Sequence, residues 1–139
     1  MQIILQPVLF EPAKDILSSL EKALLKEFNA SSSIVTAPPI KQIPEQQLLL
    51  LFDSQRNQWK SSDILEWLSD NYTKLCSKET RRATKRLAIC DFDAYSDKLN
   101  FVFGEALLDG RIRAIYLSRL RQEFYGLKPD KSLFYQTLI

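Results

Sequence analysis

The sequence contains no histidine. Without an imidazole the chain cannot form a Ser-His-Asp or Cys-His catalytic group, nor a zinc site that relies on histidine ligands. Cysteine is nearly as scarce, since Cys76 and Cys90 are the only two, and two thiols alone do not complete a four-ligand metal site. We therefore assign no catalytic residue, no metal ligand and no cofactor to this sequence itself.

Glycine and proline, at 3 and 6 of 139 residues, are too few for a collagen-like or linker-like chain. The 19 Lys and Arg nearly balance the 17 Asp and Glu, so the net charge offers no strong field to a nucleic acid or a membrane. The longest apolar run, Leu48 to Phe52, is far shorter than the roughly 20 residues that span a bilayer. We expect one domain over residues 1–139, with no nucleic-acid partner and no membrane partner.

The cysteines and the first residues bear on location. Met1 to Pro7 show no basic region followed by a long apolar run, so a signal peptide is not expected. Cysteines without an export signal are typical of free thiols in a reducing compartment. We expect a cytoplasmic protein in which Cys76 and Cys90 act as small buried hydrophobic residues rather than as a redox pair.

The apolar spacing in the first half predicts two short strands, Ile3 to Leu9 and Ile34 to Thr36. Between them Pro12 suits the first turn of a helix, and a second helix follows the capping residues 61–63. Leu48 to Phe52 is ambiguous, but its length favours a strand. The apolar stripes of the two helices are Ile16, Leu17, Leu20, Leu24, Leu25 and Phe28, and Ile64, Leu65, Leu68, Tyr72, Leu75 and Cys76.

Three further strands are expected over Leu87 to Phe92, Asn100 to Leu107 and Ile112 to Leu117. Asp109-Gly110 stands between the last two and is a strong hairpin signal, so these two strands should be antiparallel. The earlier strands alternate with helices and should be parallel. The predicted fold class is α/β: a mostly parallel twisted sheet with one antiparallel edge strand and helices packed on it.

The last residues predict the start of a third helix. Pro129-Asp130 opens it, and Leu133 and Phe134 begin its apolar stripe. The sequence reaches Ile139 without a glycine, asparagine or polar C-cap, and a helix of about ten residues is poorly stable alone. From these features we expect an interrupted domain.

Two charged clusters have a plain interpretation. The basic residues between Lys78 and Arg86 could contact phosphates, but no aromatic residues interleave them, so a solvated helix end is favoured. Asp91, Asp93 and Asp97 lack the spacing of a calcium loop, and solvated turn acids are favoured. The segment 53–60 reads as turn-forming and polar.

The segment after the last strand is rich in arginine and aromatic residues. Arg119 and Arg121 precede Phe124-Tyr125-Gly126, a composition that predicts a loop packed by aromatic rings. Glu105 and Glu123 are lone carboxylates, and nothing in the sequence indicates that they converge for acid–base catalysis.

Three segments carry distinctive blocks. Phe52 to Trp59 holds the order arginine, any residue, glutamine, aromatic. Lys98 to Ala106 contains Leu-Asn-Phe-Val-Phe-Gly, and Ile112 to Gly126 contains Arg-Leu-Arg-x-Glu-Phe-Tyr-Gly. Together these blocks resemble the archaemetzincin family of zinc metallopeptidases.

The resemblance implies the N-terminal part of a metzincin-like peptidase, with Leu133 to Ile139 as the first turns of its active-site helix. In that family a peptide substrate is held along the antiparallel edge strand by strand addition. The family's zinc ligands and general base belong to an H-E-x-x-H-x-x-G-x-x-H motif, and no residue of it is present here. By resemblance, the substrate-binding edge strand comprises Asn100, Phe101, Val102, Phe103 and Gly104.

Two functions of different classes follow from the resemblance. The chain is either the substrate-cradling part of a peptidase, inactive alone, or a non-catalytic module that uses the edge strand to bind peptides or a partner chain. Loss of the active-site helix would also leave an apolar sheet face uncovered, which favours association.

Overall fold

The computed structural model describes residues 2–9, 14–28, 33–75, 84–107, 112–130 and 134. Within these ranges the chain forms three α-helices, two short 3₁₀ helices after the last strand, and nine strands that belong to two sheets. The helices are α1 (Lys14–Phe28), α2 (Glu45–Leu51) and α3 (Ser61–Leu75). The strands are β1 (Gln2–Val8), β2 (Ser33–Thr36), β3 (Phe52–Asp53), β4 (Gln58–Lys60), β5 (Thr84–Cys90), β6 (Ala94–Ser96), β7 (Leu99–Val102), β8 (Gly104–Ala106) and β9 (Ile112–Tyr116).

The main sheet has the strand order β2-β1-β5-β9-β8. Its first four strands are parallel, whereas β8 runs antiparallel to β9 at the edge. The predicted fold class is therefore confirmed, including the antiparallel edge strand. The Asp109-Gly110 turn that predicted this pairing lies outside the described residues.

The second sheet was not expected from the sequence. It has the order β3-β4-β6-β7, and only the β4–β6 pair is parallel. Strands β3 and β4 form a hairpin around a turn in which Asn57 has a φ of 53°. The interpretation of residues 53–60 as turn and polar residues is thus correct only for the middle of the segment, because Gln58 to Lys60 form a strand.

Alternating side chains of the main sheet build a core on each face. The face that carries Ala88 and Cys90 packs against α3, which contributes Ile64, Leu65 and Leu68. The opposite face packs against α1. Its buried residues are Ile3, Leu5, Ile16, Leu20, Ile89, Leu117 and Phe134.

The segment Leu48 to Phe52 is not a strand as predicted. Glu45–Leu51 forms α2, whose first turn closes on the Pro44 carbonyl through the N–H groups of residues 47 and 48. Only Leu51 of this helix is buried, whereas Leu49 is 84% exposed. A leucine run that faces solvent carries no periodicity from which its helical state could be inferred. None of the helices in the described ranges is long and apolar enough to cross a membrane.

Two other predictions from the sequence, the basic helix end and the third helix, concern segments that the structure describes only in part. Lys85 and Arg86 lie on β5 rather than at a helix end, while Lys78 and Cys76 fall outside the described residues. Of the predicted third helix, Phe134 is described as helical and buried, and its N–H donates to the Asp130 carbonyl at 3.0 Å.

Candidate functional site

Three distant parts of the chain meet where β5 and β9 end. Asp93 follows β5, Arg119 follows β9, and Gln58 begins β4. The Asp93 carboxylate accepts hydrogen bonds from Arg119 Nε at 2.8 Å and Nη2 at 3.0 Å, and from Gln58 Nε2 at 2.9 Å. The Asp93 side chain is 12% exposed. The expectation of a solvated turn acid at Asp93 is therefore wrong.

The electrostatics of this site favour the charged form of the Arg119 guanidinium. The hydrogen bond to Asp93 raises the pKa of the Arg119 guanidinium above its ordinary value, against the opposing effect of partial burial. A fork of two parallel N–H donors on one carboxylate also fixes orientation as well as distance. The pair locks the loop after β9 to the loop after β5. A second pair, Arg121 with Asp91, joins the same two loops.

Gln58 connects this ion pair to the predicted edge segment. Its buried side-chain amide donates to Asp93 and also to the Asn100 carbonyl at 2.8 Å, and its Oε1 accepts from Arg56 Nε at 3.0 Å. Both amide hydrogens and the amide oxygen are thus used, so only one orientation of the amide satisfies all partners. Arg56 Nη2 makes a longer contact of 3.4 Å with the same Asn100 carbonyl.

Aromatic rings surround the polar network. The Arg119 guanidinium lies over the rings of Phe101 and Phe124, at 4.1 and 4.7 Å from their centroids. Trp59 stacks on Phe92 with 4.8 Å between the ring centroids. The network, together with the rings of Trp59, Phe92 and Phe124, lines a cleft of about 650 Å³. The sequence predicted that aromatic rings pack against the loop after the last strand. This prediction is confirmed at Arg119, which two rings contact.

The predicted substrate segment is divided between the two sheets. Asn100, Phe101 and Val102 lie on β7, Phe103 forms the link, and Gly104 begins β8. A single strand over Asn100 to Leu107 was therefore a wrong prediction. The physical reason is that β7 pairs with β6 while β8 pairs with β9, and each pairing belongs to a different sheet.

The register of β8 decides which backbone groups remain open. The Tyr116 N–H donates to the Phe103 carbonyl at 2.9 Å, and the Leu107 N–H donates to the Ile112 carbonyl at 3.1 Å. In an antiparallel ladder hydrogen-bonded pairs alternate with non-hydrogen-bonded pairs. The backbone groups of Gly104 and Ala106 therefore point away from β9, toward the side of β8 on which the described chain places no strand.

Sequence reasoning did not identify Gln58 and Asp93 as members of one site. Arg56 and Gln58 both belong to the block with the order arginine, any residue, glutamine, aromatic, and this block was the available signal. Glu105 lies on β8, where its Oε2 is buried and has no hydrogen-bond partner among the described residues. Glu123 lies in a short 3₁₀ turn.

The donor set of the described residues does not fit zinc. Zinc in proteins takes thiolate, imidazole or carboxylate ligands. The chain has no histidine, and Cys90 is fully buried, which raises the pKa of its thiol and keeps it protonated. The Asp93 carboxylate already accepts three hydrogen bonds. In the described ranges no three His, Cys, Asp or Glu side chains come together as ligands.

Known proteins resemble the chain in sequence and in fold, although no model of a protein family matches it. The archaemetzincin of Methanocaldococcus jannaschii is 31% identical over 131 residues, which cover 94% of this chain and 65% of that protein. The archaemetzincin of Saccharolobus islandicus is 33% identical over 88 residues, which cover 63% of this chain and 43% of that protein. The chain thus spans less than two thirds of the length of these relatives.

Solved structures share the fold. A zinc-dependent peptidase from Methanocorpusculum labreanum superposes with a TM-score of 0.73 at 21% identity, covering 96% of this chain and 72% of that one. The archaemetzincin of Archaeoglobus fulgidus, solved with malonate, gives a TM-score of 0.67 at 22% identity and covers 99% of this chain and 70% of that one. Sequence and fold agree, and the chain is a partial member of the archaemetzincin family.

Proposed function

We propose that this chain supplies the peptide-cradling part of an archaemetzincin-type zinc-dependent peptidase. The similar proteins are named archaemetzincins, and one structure of the same fold is described as a zinc-dependent peptidase. The three blocks that carry the resemblance meet around the Asp93 network, which supports a shared role for them. A cytoplasmic location belongs to the same proposal, supported by the free thiol of Cys90.

The observation that carries the proposal is the open edge of β8. Gly104 and Ala106 present N–H and C=O groups away from β9. An extended peptide can pair with such an edge through main-chain hydrogen bonds, and side-chain pockets then add specificity. The segment Asn100 to Gly104 leads from the cleft to this edge, so a peptide paired with β8 would have the aromatic cleft within its reach.

The test of the edge uses two substitutions at one exposed position. Ala106→Pro removes the outward N–H, and proline is tolerated on an edge strand. Ala106→Val keeps the N–H and adds bulk. In titrations with a fluorescein-labelled extended peptide followed by anisotropy, we expect saturable binding to the original chain and to Ala106→Val, and a loss of about tenfold or more in Ala106→Pro. Equal binding by all three would contradict the edge as the binding site.

We also propose that these 139 residues do not hydrolyse peptides by themselves. The chain resembles a family whose peptidases use three imidazoles as metal ligands, and its own sequence contains no histidine. With a quenched fluorescent peptide and added Zn²⁺, we expect no cleavage above a buffer blank. Cleavage that a chelator abolishes and that elutes with the purified chain would overturn this part of the proposal.

A non-catalytic binding module is the second candidate. It is favoured by the same edge, because strand addition requires backbone groups and no metal. The partner would be a peptide or a second chain, including one that carries a helix with the family's zinc motif. Binding of an extended peptide without cleavage, both before and after addition of such a helical peptide, favours the module. Cleavage that appears only after the addition favours the peptidase part.

A further inference from the structure

The cleft next to the edge segment carries one positive charge that is not balanced. Arg119 and Asp93 neutralise each other, and both line the cleft. Arg56 lines it too, and no Asp or Glu of the described residues lies within ion-pair distance of its guanidinium. A cleft with two arginines and one aspartate has a net charge of +1 and suits a monoanionic ligand.

Arg56 is held in place before any ligand arrives. Its Nε donates to Gln58 Oε1 at 3.0 Å, and its guanidinium lies 3.9 Å from the centroid of the Tyr95 ring. Its backbone N–H donates to Asp53 Oδ1 at 3.2 Å. The contacts with Gln58 and Tyr95 restrict the long side chain and so reduce the entropy lost when it binds a ligand. The side chain uses Nε and Nη2 as donors, and Nη1 has no partner among the described residues and remains a donor.

We infer that the cleft is a carboxylate-binding site, with Arg56 as the anion-binding residue and the stacked Trp59 and Phe92 rings as an apolar wall beside it. A planar guanidinium binds a carboxylate through parallel N–H donors. The inference rests on the proposed function for the identity of the ligand, which is then a peptide carboxylate. Two sources share this chemistry: the C-terminus of a peptide and an Asp or Glu side chain.

Small probes test the site without requiring the β8 edge. N-acetylphenylalanine carries a terminal carboxylate next to an aromatic ring, and N-acetylglutamic acid α-amide carries only a side-chain carboxylate. N-acetylphenylalaninamide is the neutral reference. Each is titrated into the ¹⁵N-labelled chain, and the Arg56 Nε–Hε signal is followed by NMR.

We expect saturable shifts with at least one acidic probe and about tenfold weaker binding of the neutral amide, as a charge-assisted hydrogen bond implies. Arg56→Gln should reduce binding of the acidic probe to the level of the amide. The matched control is Arg113→Gln, which removes the same charge from an exposed residue on β9 outside the cleft. The probe that binds identifies the source of the carboxylate.

Three results overturn the inference: equal binding of acid and amide, no binding of either acid, or equal effects of Arg56→Gln and Arg113→Gln. The proposed function is judged separately by the Ala106 variants with an extended peptide that has a blocked C-terminus and no acidic residue. If that peptide binds and the acidic probes do not, the edge is retained and the carboxylate site is rejected.

Discussion

Asp93 is the residue on which the candidate site depends most. Within the network of described residues, its carboxylate alone accepts hydrogen bonds from both Gln58 and Arg119. The Asp93 side chain is 12% exposed. A carboxylate that is this well buried needs its partners, because an unpaired buried charge costs several kcal/mol. The same holds for the Arg119 guanidinium, which is 21% exposed.

Asp93→Asn should therefore destabilise the protein. The substitution keeps the size of the side chain but leaves the Arg119 guanidinium without its counter-ion, and we expect a loss of about 2 kcal/mol in the free energy of unfolding. The control is Asp97→Asn, whose side chain is 77% exposed and 3.5 Å from Lys60 Nζ; a surface pair of this kind is worth less than about 1 kcal/mol. Urea unfolding followed by tryptophan fluorescence measures both, and equal losses would contradict a special role for Asp93.

Cys90 should be chemically inert in the folded chain. Its side chain is fully buried, and desolvation raises the pKa of its thiol above the ordinary value, so the reactive thiolate is scarce at neutral pH. In a Cys76→Ser background Cys90 is the single thiol. We expect iodoacetamide at pH 8 to modify it at least about a hundredfold more slowly in buffer than in 6 M urea. Similar rates in the two conditions would show that the strand β5 opens readily.

At the scale of elements, the helices and strands that the sequence predicted correctly are those with a local signature. The helices α1 and α3, the strands β1, β5 and β9, and the antiparallel edge followed from apolar period and hairpin chemistry. The second sheet did not, because its strands have two to four residues and its β4–β6 pair joins segments about 35 residues apart. Such short strands are formed by their partners rather than by their own composition.

The candidate site was only partly predictable for the same reason. The blocks that resemble the family were visible, but the contact between Gln58 and the Asn100 carbonyl spans 42 residues. No local pattern indicates that Asn100 to Leu107 leaves one sheet and joins another at Phe103. The separation into β7 and β8 depends on pairing partners that only the folded chain brings together.

Gly104, the first residue of β8, lies so close to β9 that a side chain would not fit there. A Cβ at this position would lie 2.9 Å from the Ala114 carbonyl oxygen, a backbone atom that cannot rotate away. Gly104→Ala should push β8 from β9 and lower the free energy of unfolding by about 1–3 kcal/mol. Ala106→Val, on the same strand and exposed, should change it by less than about 0.5 kcal/mol. Equal stability of Gly104→Ala and the original chain, measured by urea unfolding, would contradict the close approach.

At the scale of the whole molecule, the described residues cover the two faces of the main sheet unequally. The α3 face is closed by buried residues of α3 and by Leu51 of α2. On the α1 face a groove of about 420 Å³ remains between α1 and the edge strands. Its apolar lining is Ile3, Leu24, Leu87, Ala106, Ala114 and Ile115.

The sequence led us to expect association through an uncovered apolar face, and this groove is the place where we expect a second copy of the chain to bind. Leu24→Glu places a charge in the groove lining, and it should shift the sedimentation coefficient toward that of a 16.1 kDa monomer. Leu25→Glu makes the same change one position along α1, at an exposed residue that does not line the groove, and it should leave the association unchanged. Sedimentation velocity at several concentrations measures the association. A chain that stays monomeric at every concentration does not pair through this groove, and neither does one whose association changes equally with both substitutions. An effect confined to Leu24→Glu would show that the groove on the α1 face is the contact surface.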